Sequence, residues 1–543
     1  MDKNHFYKYL SLIFFTGAVV LSLELLASRI LTPFFGVSLY IWTSILSITL
    51  IFLAIGYQFG GWITSKINSE YYEDLFIFIP FISSVFILIS AITYPIFLPL
   101  LINMNLLIGS FLGSLVLLSV PLVLMSALNP ILISIIKLKD DKSKDSRSGF
   151  VFFISTLGSV FGVIFTALVI IPNFTNFSSF ILNALFLIIF NLIIYFLIGF
   201  NSFKKLKKTF LIFNILLFLF LIALYNYKES YFSFFTSTKD KQGNEHTIIS
   251  EIPSFYGNLK VVGLKPKQSD EITHYILYQN GFTQNIIHKN GRSQNTYIYV
   301  LNNLSQLAKN ENGEVLILGL GAGILPKSLA NNNFNVDVVE IDSSTLDIAI
   351  KFFNYNQKNT KIFFEDARTF VKNCKKKYNL IIIDLFFADG VPEHLTTKEF
   401  YKNLNNCLDS NGILLSNSVA DFFNKETLNA VLSTFKSVFN SVYFFYDKEF
   451  ITKTNINTSN LYVLATNKEK INSMNIELQN IPKNLRSRVI STLKNLNKFD
   501  KENYQNKYVL YDEKNNYAHL FSKSMSSFRK LISSSTPSRI LIN

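Results

Sequence analysis

Residues 314–342 read Glu314-Val-Leu-Ile-Leu-Gly319-Leu-Gly321-Ala-Gly323-Ile-Leu-Pro326, then Lys-Ser-Leu-Ala-Asn-Asn-Asn-Phe-Asn-Val336-Asp-Val-Val-Glu340-Ile-Asp342. Val315–Leu318 is a short apolar run of the kind a buried parallel strand requires. Three glycines follow at once, and Pro326 suits the first turn of a helix. A second apolar run, Val336–Ile341, carries Glu340 and leads into Asp342. The order is strand, glycine turn, helix, strand, acid. In a doubly wound sheet, glycines let a nucleotide approach the backbone, and an acid at the tip of the second strand can accept hydrogen bonds from ribose hydroxyls. No lysine of the P-loop kind follows the glycines.

The chain has 543 residues, of which 49% are hydrophobic and 54 are Phe; its mean hydropathy is +0.29. The apolar runs crowd into the first 230 residues, and the remainder has the composition of a soluble domain. Two cysteines, Cys374 and Cys407, provide no disulfide framework and no metal cluster, and the six histidines are scattered. The formal charge of +14 sits largely in loops between apolar runs and in the C-terminal region. Beside membrane spans such residues report orientation or attraction to anionic lipid, so nucleic acid is not expected as a partner.

Candidate spans are Leu10–Leu31, Leu39–Ile63, Leu75–Leu98, Leu106–Ile136, Phe150–Ile171, Phe180–Phe200 and Phe210–Tyr225. Most reach the roughly 20 residues a bilayer requires. Trp42 and Trp62 lie near the two ends of the second span, as interface anchors do. Lys137, Lys139, Lys142, Lys144 and Arg147 crowd one loop, and Lys204, Lys205, Lys207 and Lys208 another, whereas the loops around Asn103 and Asn173 carry no charge. The positive-inside rule puts the basic loops and the N-terminus in the cytoplasm. Seven crossings would then leave the C-terminal half outside. A cytoplasmic catalytic domain therefore requires the seventh, shortest segment to lie along the interface or re-enter, or one span to be miscounted. Glu24 and Arg29 are ionisable groups within or at the end of the first span. Thr156–Gly162 has small residues four apart, which permits close helix packing.

Residues 229–300 are read as a linker followed by a small antiparallel β unit. Its strand-like runs are His246–Ile252, Leu259–Leu264 and Tyr275–Gln279, with Asn280-Gly281 as a turn signal. Residues 301–467 form the nucleotide-binding unit. Lys361–Phe364, Leu380–Ile383 and Ile413–Ser416 are further strands, so that Asp342, Asp366 and Asp384 end three parallel strands in turn. Ligands bind at those ends of open α/β sheets. Residues 468–543 form a basic extension, read as a solvated cap.

The stretch from about Glu251 to Thr466 resembles the spermidine synthase family, and its fusion to membrane spans resembles the membrane-fused bacterial branch of that family. The residues that carry the likeness are Tyr256-Gly257, Asn280-Gly281-Phe-Thr-Gln284, the glycine stretch, Glu340-Ile-Asp342, Asp366-Ala367-Arg368, and Asp384 through Phe400-Tyr401, with Leu510-Tyr-Asp512 and Tyr517-Ala518 further on. The resemblance implies a multi-pass α-helical membrane domain, residues 1–228, then the small β unit and a Rossmann-like α/β domain of class I methyltransferase type. It implies transfer of an aminopropyl group from decarboxylated S-adenosylmethionine to an amine such as putrescine, with no metal. Gly319, Gly321 and Gly323 would lie under the donor, Glu340 or Asp342 would hold its ribose, and Asp366 with Ala367 its adenine. Gln284 would meet the aminopropyl side, and Asp384 would deprotonate the amine. Tyr297, Asp389 and His394 are candidates for lining the acceptor pocket.

The chain departs from that family at several acids. Ala322 stands in the glycine loop where the family carries an acid, Phe387 falls on its second acid, and Asn280 replaces an aspartate. A diamine needs negative partners, because a buried unpaired ammonium is costly. Methyl transfer from S-adenosylmethionine to a membrane-delivered acceptor is therefore the alternative, and a transporter with a degenerate nucleotide domain the third reading. The expected partners are a small-molecule acceptor and the lipid bilayer, with a homodimer left open. The expected location is the bacterial inner membrane.

Overall fold

A computed structural model describes residues 3–36, 39–139, 146–198, 207–308, 313–386, 390–423, 425–454, 456–471 and 476–543. The chain divides into two compact units. One comprises residues 1–35, 40–238 and 537–543; the other comprises residues 36–39 and 239–536.

Among the described residues, seven helices of the first unit are long and apolar enough to cross a membrane. They are Lys3–Phe35, Leu39–Lys66, Tyr72–Leu101, Leu106–Lys139, Ser146–Phe165 with its continuation to Asn173, Asn176–Ile198 and Lys207–Asn226. The small residues of the fifth helix pack as their spacing requires. A Cβ on Gly158 or Gly162 would collide with backbone of the first helix at Phe14 or Ala18, and Ser159 donates to the Gly17 carbonyl at 3.1 Å. The fifth helix widens into one π-type turn at Thr166–Ile170, where Thr166 donates to Ser22 of the first helix at 2.7 Å.

The seventh helix lies on the outside of the bundle and packs on it by one face. Near its start Phe210 packs on Phe78, Phe81 and Tyr195. Further along, Leu221 joins the cluster of Tyr94, Phe177 and Phe180. It therefore touches both apolar clusters of the unit along one face, on which Phe210, Asn214 and Leu221 are buried, and leaves Phe213, Leu216, Leu219 and Phe220 exposed on the other.

Residues 228–235, read from sequence as linker, form a helix that belongs to this unit. Residues 537–543 return to it. Arg539 forks onto both Glu229 carboxylate oxygens at 3.0 Å and lies over the Phe232 ring, 4.3 Å from its centroid. Ser237 and residues 538–539 exchange hydrogen bonds, the Ser237 amide donating to Ser538 Oγ and the Arg539 amide to the Ser237 carbonyl. Ile540, Leu541 and Ile542 are buried.

The second unit begins with a four-stranded antiparallel sheet in the order β1-β2-β3-β4: Glu245–Ile252, Leu259–Lys265, His274–Gln279 and Phe282–His288. The Asn280-Gly281 turn closes the last hairpin, both residues having positive φ (49° and 80°). The sequence reading stopped before β4. Leu277 pairs with Asn285 and Tyr278 with Thr283, so Gln284 is the extra residue of a β-bulge.

The larger sheet has eight strands in the order β12-β10-β11-β9-β8-β5-β6-β7. Their ranges are β5 Glu314–Leu318, β6 Asn335–Glu340, β7 Thr360–Phe364, β8 Tyr378–Ile383, β9 Leu408–Asp421, β10 Ser441–Tyr446, β11 Thr458–Thr466 and β12 Asn497–Lys498. The strands from β9 to β7 are mutually parallel; β11 runs antiparallel to both β9 and β10, so β10 points the same way as the parallel set. This is the doubly wound, methyltransferase-type order. The chain winds out from β5 to β7 and returns to β8 on the other side of β5, which makes the β5/β8 boundary the switch point where ligands bind.

The expectation of a solvated cap over residues 468–543 is corrected. Leu485, Val489 and Leu493 recur every four residues on one helix and are buried against the sheet; β12 pairs with β10; and Phe499, Leu510, Tyr517 and Phe521 enter the core. Lysines and asparagines around these positions set the overall composition and hide the apolar face.

Candidate active site

The glycine loop springs from the end of β5. Gly319, Gly321 and Gly323 all have positive φ, at 102°, 53° and 70°. The first glycine is required twice over, since a Cβ there would also collide with the Asp384 carbonyl. That close approach places the loop backbone against the end of β8. Gly323 leads directly into the helix Ile324–Asn331.

Glu340 ends β6 and braces this loop. Its Oε2 accepts from the Leu320 amide and its Oε1 from the Asp342 amide, both at 2.9 Å. Burial raises its carboxyl above the usual range. Asp342 is employed differently. Its Oδ2 accepts from Ser254 at 2.6 Å and its Oδ1 from the Ser344 amide at 3.0 Å, so it ties the segment between β1 and β2 to the start of a helix. Of the two acids read as ribose ligands, Glu340 is the one bonded to the glycine loop.

Asp384 follows β8 and lies beside Asn417 of β9, because Ile383 is in register with Ser416. Asn417 donates to Asp384 Oδ1 at 2.9 Å. Oδ2 has no hydrogen-bond partner among the described residues. Desolvation pushes the carboxyl up to about 6, against the lowering effect of the Asn417 bond. It is therefore ionised at neutral pH, and one oxygen remains for a substrate proton.

Tyr297 is joined to the glycine loop by Asn285, a residue the sequence reading passed over in favour of Gln284. Asn285 Oδ1 accepts from the Ala322 amide at 2.8 Å, and its Nδ2 donates to Tyr297 Oη at 2.7 Å. Burial pushes the Tyr297 phenol well up, and the charge of Asp384 adds to this. Tyr297, a candidate for the acceptor pocket, is thus a near neighbour of Asp384. Asn280, at a family acid position, is structural: it sits in the left-handed region, and its Oδ1 accepts from the Asn258 amide at 2.9 Å.

Asp366 and His394 form a second group. Asp366 caps the helix Ala367–Lys372, accepting from the Thr369 amide at 2.8 Å, and its other oxygen is 3.8 Å from His394 Nε2. Ala367 is buried behind it. His394, a candidate for the acceptor pocket, faces Asp366. Arg368 donates to the His394 carbonyl at 2.7 Å and pairs with Asp512, holding that carboxyl below its usual range. The Ala518 amide donates to Glu393 at 2.8 Å. The Asp512 and Tyr517-Ala518 motifs therefore brace this edge of the site. Asp389 and Phe387 lie outside the described residues. Among the described residues no group of three His, Cys, Asp or Glu could hold a metal ion.

Residues 294–475 match the spermine/spermidine synthase domain family. The polyamine aminopropyltransferase of Vibrio vulnificus is 34% identical over 154 residues, covering 27% of this chain and 50% of the relative. Polyamine aminopropyltransferase 2 of Aquifex aeolicus is 28% identical over 221 residues, covering 38% of this chain and 44% of the relative. The chain thus spans about half the length of these curated relatives. A crystal structure of a probable spermidine synthase from Corynebacterium glutamicum superposes with a TM-score of 0.39 at 15% identity, over 47% of this chain and 91% of that one. The match to the spermine/spermidine synthase domain thus lies in the C-terminal part of the chain, after a unit of long apolar helices.

Proposed function

We propose that the second unit transfers an aminopropyl group from decarboxylated S-adenosylmethionine to a small amine. The observation that carries this reading is Asp384, a desolvated carboxylate with one unpartnered oxygen, on a residue whose backbone carbonyl abuts Gly319 of the glycine loop. An amine must lose a proton to attack, and its ordinary pKa is about 10. Asp384 would take that proton as the nitrogen lone pair forms a bond to the donor methylene. The carbon–sulfur bond breaks, its electron pair returns to sulfur, and a neutral thioether leaves. The cationic sulfur is its own electron sink, so the chain has to supply positioning and one base.

A second reading is methyl transfer from intact S-adenosylmethionine. It is favoured by the neutral glycine loop, where Asn285 occupies the Ala322 amide and no acid stands for an aminopropyl ammonium. Calorimetry on the purified full-length protein separates the two readings. Preference for the decarboxylated donor by about tenfold or more supports aminopropyl transfer; preference for the intact donor replaces it with methyl transfer; binding of neither overturns both.

We further propose the bacterial inner membrane as the location, with the second unit in the cytoplasm, where nucleotide cosubstrates are at hand. The helix count pulls the other way. Lys8, Lys66, Lys137, Arg147 and Lys207 lie at or beside the ends that the positive-inside rule places inward, and an odd number of crossings puts Lys228 outside. A reporter active only after export, fused after Lys228, is expected to be silent. Activity would overturn the cytoplasmic placement and require the donor on the outer face.

A further inference from the structure

We propose that Asn417 and Asn460 are positioning residues for Asp384, with Asn460 fixing which end of the Asn417 amide faces the carboxylate. The inference rests on the reading of Asp384 as the base.

The three side chains come from three neighbouring strands. Asp384 follows β8, Asn417 lies on β9 and Asn460 on β11. Tyr462 is the residue in register with Asn417, so Asn460 reaches Asn417 on the diagonal of an antiparallel pair. Asn460 Nδ2 donates to Asn417 Oδ1 at 2.9 Å, and Asn417 Nδ2 donates to Asp384 Oδ1 at 2.9 Å. Asn417 is buried, at 3% exposure.

An amide side chain has one accepting end and one donating end. Once Asn460 has taken the accepting end, only the donating end is left for Asp384. That orientation stabilises the ionised carboxylate, and the reversed one would set an oxygen against an oxygen. Asn460 therefore acts on the base without touching it. Among the described residues, the titratable groups that face Asp384 from the surrounding elements are Tyr297, on the helix Thr296–Ser305, and Tyr462 of β11. Burial pushes both phenols up, so neither competes with Asp384 for its proton near neutral pH.

The test compares Asn460→Asp, Asn460→Leu and Asn460→Ser in the full-length protein. Aspartate accepts only, so it draws Asn417 Nδ2 to itself and turns Oδ1 toward Asp384. Leucine removes the orienting donor, and serine keeps one. The first readout is the carboxyl stretch of Asp384, followed against pH by infrared difference with an Asp384→Asn reference. The second is the acidic limb of donor-dependent turnover. Asn460→Asp is expected to move both midpoints up by about one pH unit, Asn460→Leu by about half of that, and Asn460→Ser by no more than a few tenths. An unshifted infrared midpoint in both the aspartate and leucine variants overturns the relay, and the leucine variant alone decides if the aspartate variant does not fold. The infrared midpoint needs no turnover. A shifted midpoint in a protein that transfers nothing would therefore sink the proposed function and leave the relay standing.

Discussion

Asp384→Asn is expected to reduce transfer by about 10²- to 10⁴-fold while leaving donor affinity within a fewfold of the parent. The amide keeps the shape of the carboxylate, and its oxygen still accepts from Asn417, so the loss is that of the base alone. In the parent protein, activity should fall as pH drops through about 6, where Asp384 takes up its proton.

The same substitution should raise stability. The folded-state pKa of Asp384 lies above its ordinary value of 3.8, so the folded chain binds this proton more tightly than the unfolded chain does. Its contribution to stability therefore falls as pH rises from about 4 to about 6, and the full cost persists above that. Removing the charge should recover at most about 3 kcal/mol at pH 7.5 and little at pH 4. Thermal melts of both proteins at the two pH values check this. Retained transfer in Asp384→Asn would remove Asp384 as the base. A variant that melts lower at pH 7.5 would contradict the desolvation argument.

Gly319→Ala should abolish donor binding and cost several kcal/mol of stability. Two effects combine. A side chain at φ 102° is strained by about 1–3 kcal/mol, and the new methyl would strike the Asp384 carbonyl. The backbone can relieve that clash only by parting β5 from β8 at the switch point, which moves the loop and the base together. Gly291→Ala is the matched control. Gly291 has φ 85°, but no atom lies within 4 Å of an added Cβ, so it should show the strain without the loss of binding. Melting curves and donor calorimetry on the two variants separate strain from displacement. Donor affinity in Gly319→Ala within about threefold of the parent would mean that the loop does not hold the donor.

The parallel core of the second unit was legible because its strands are buried on both faces. Val315–Leu318 and Leu380–Ile383 read as unbroken apolar runs, and Gly319 after the first and Asp384 after the second mark where the strands stop. Asn285 was illegible for a reason of parity. The bulge at Gln284 shifts the alternation of β4 by one residue, and an alternating pattern carries no sign of it. Asn460 lies 43 residues from Asn417 and meets it only through the antiparallel pairing of β9 with β11. The burial of residues 483–499 was missed because apolar residues spaced by four were outvoted by the lysines and asparagines between them. The pairing of His394 with Asp366, 28 residues away, is set by the turn Glu393–Leu395 and has no local signal in the sequence.

The pairing of Ser237 with residues 538–539 gives the chain an unusual covalent plan. The enzymatic part is an insertion, spliced between the helices and the short segment that completes their packing. A single protease cut inside it would leave both fragments moored to the membrane. During synthesis the order is stricter still. The helical part must wait for about three hundred more residues to be made before Ile540–Ile542 reach their places. Completion of the helical part thus reports that the ribosome has passed through the whole of the second unit.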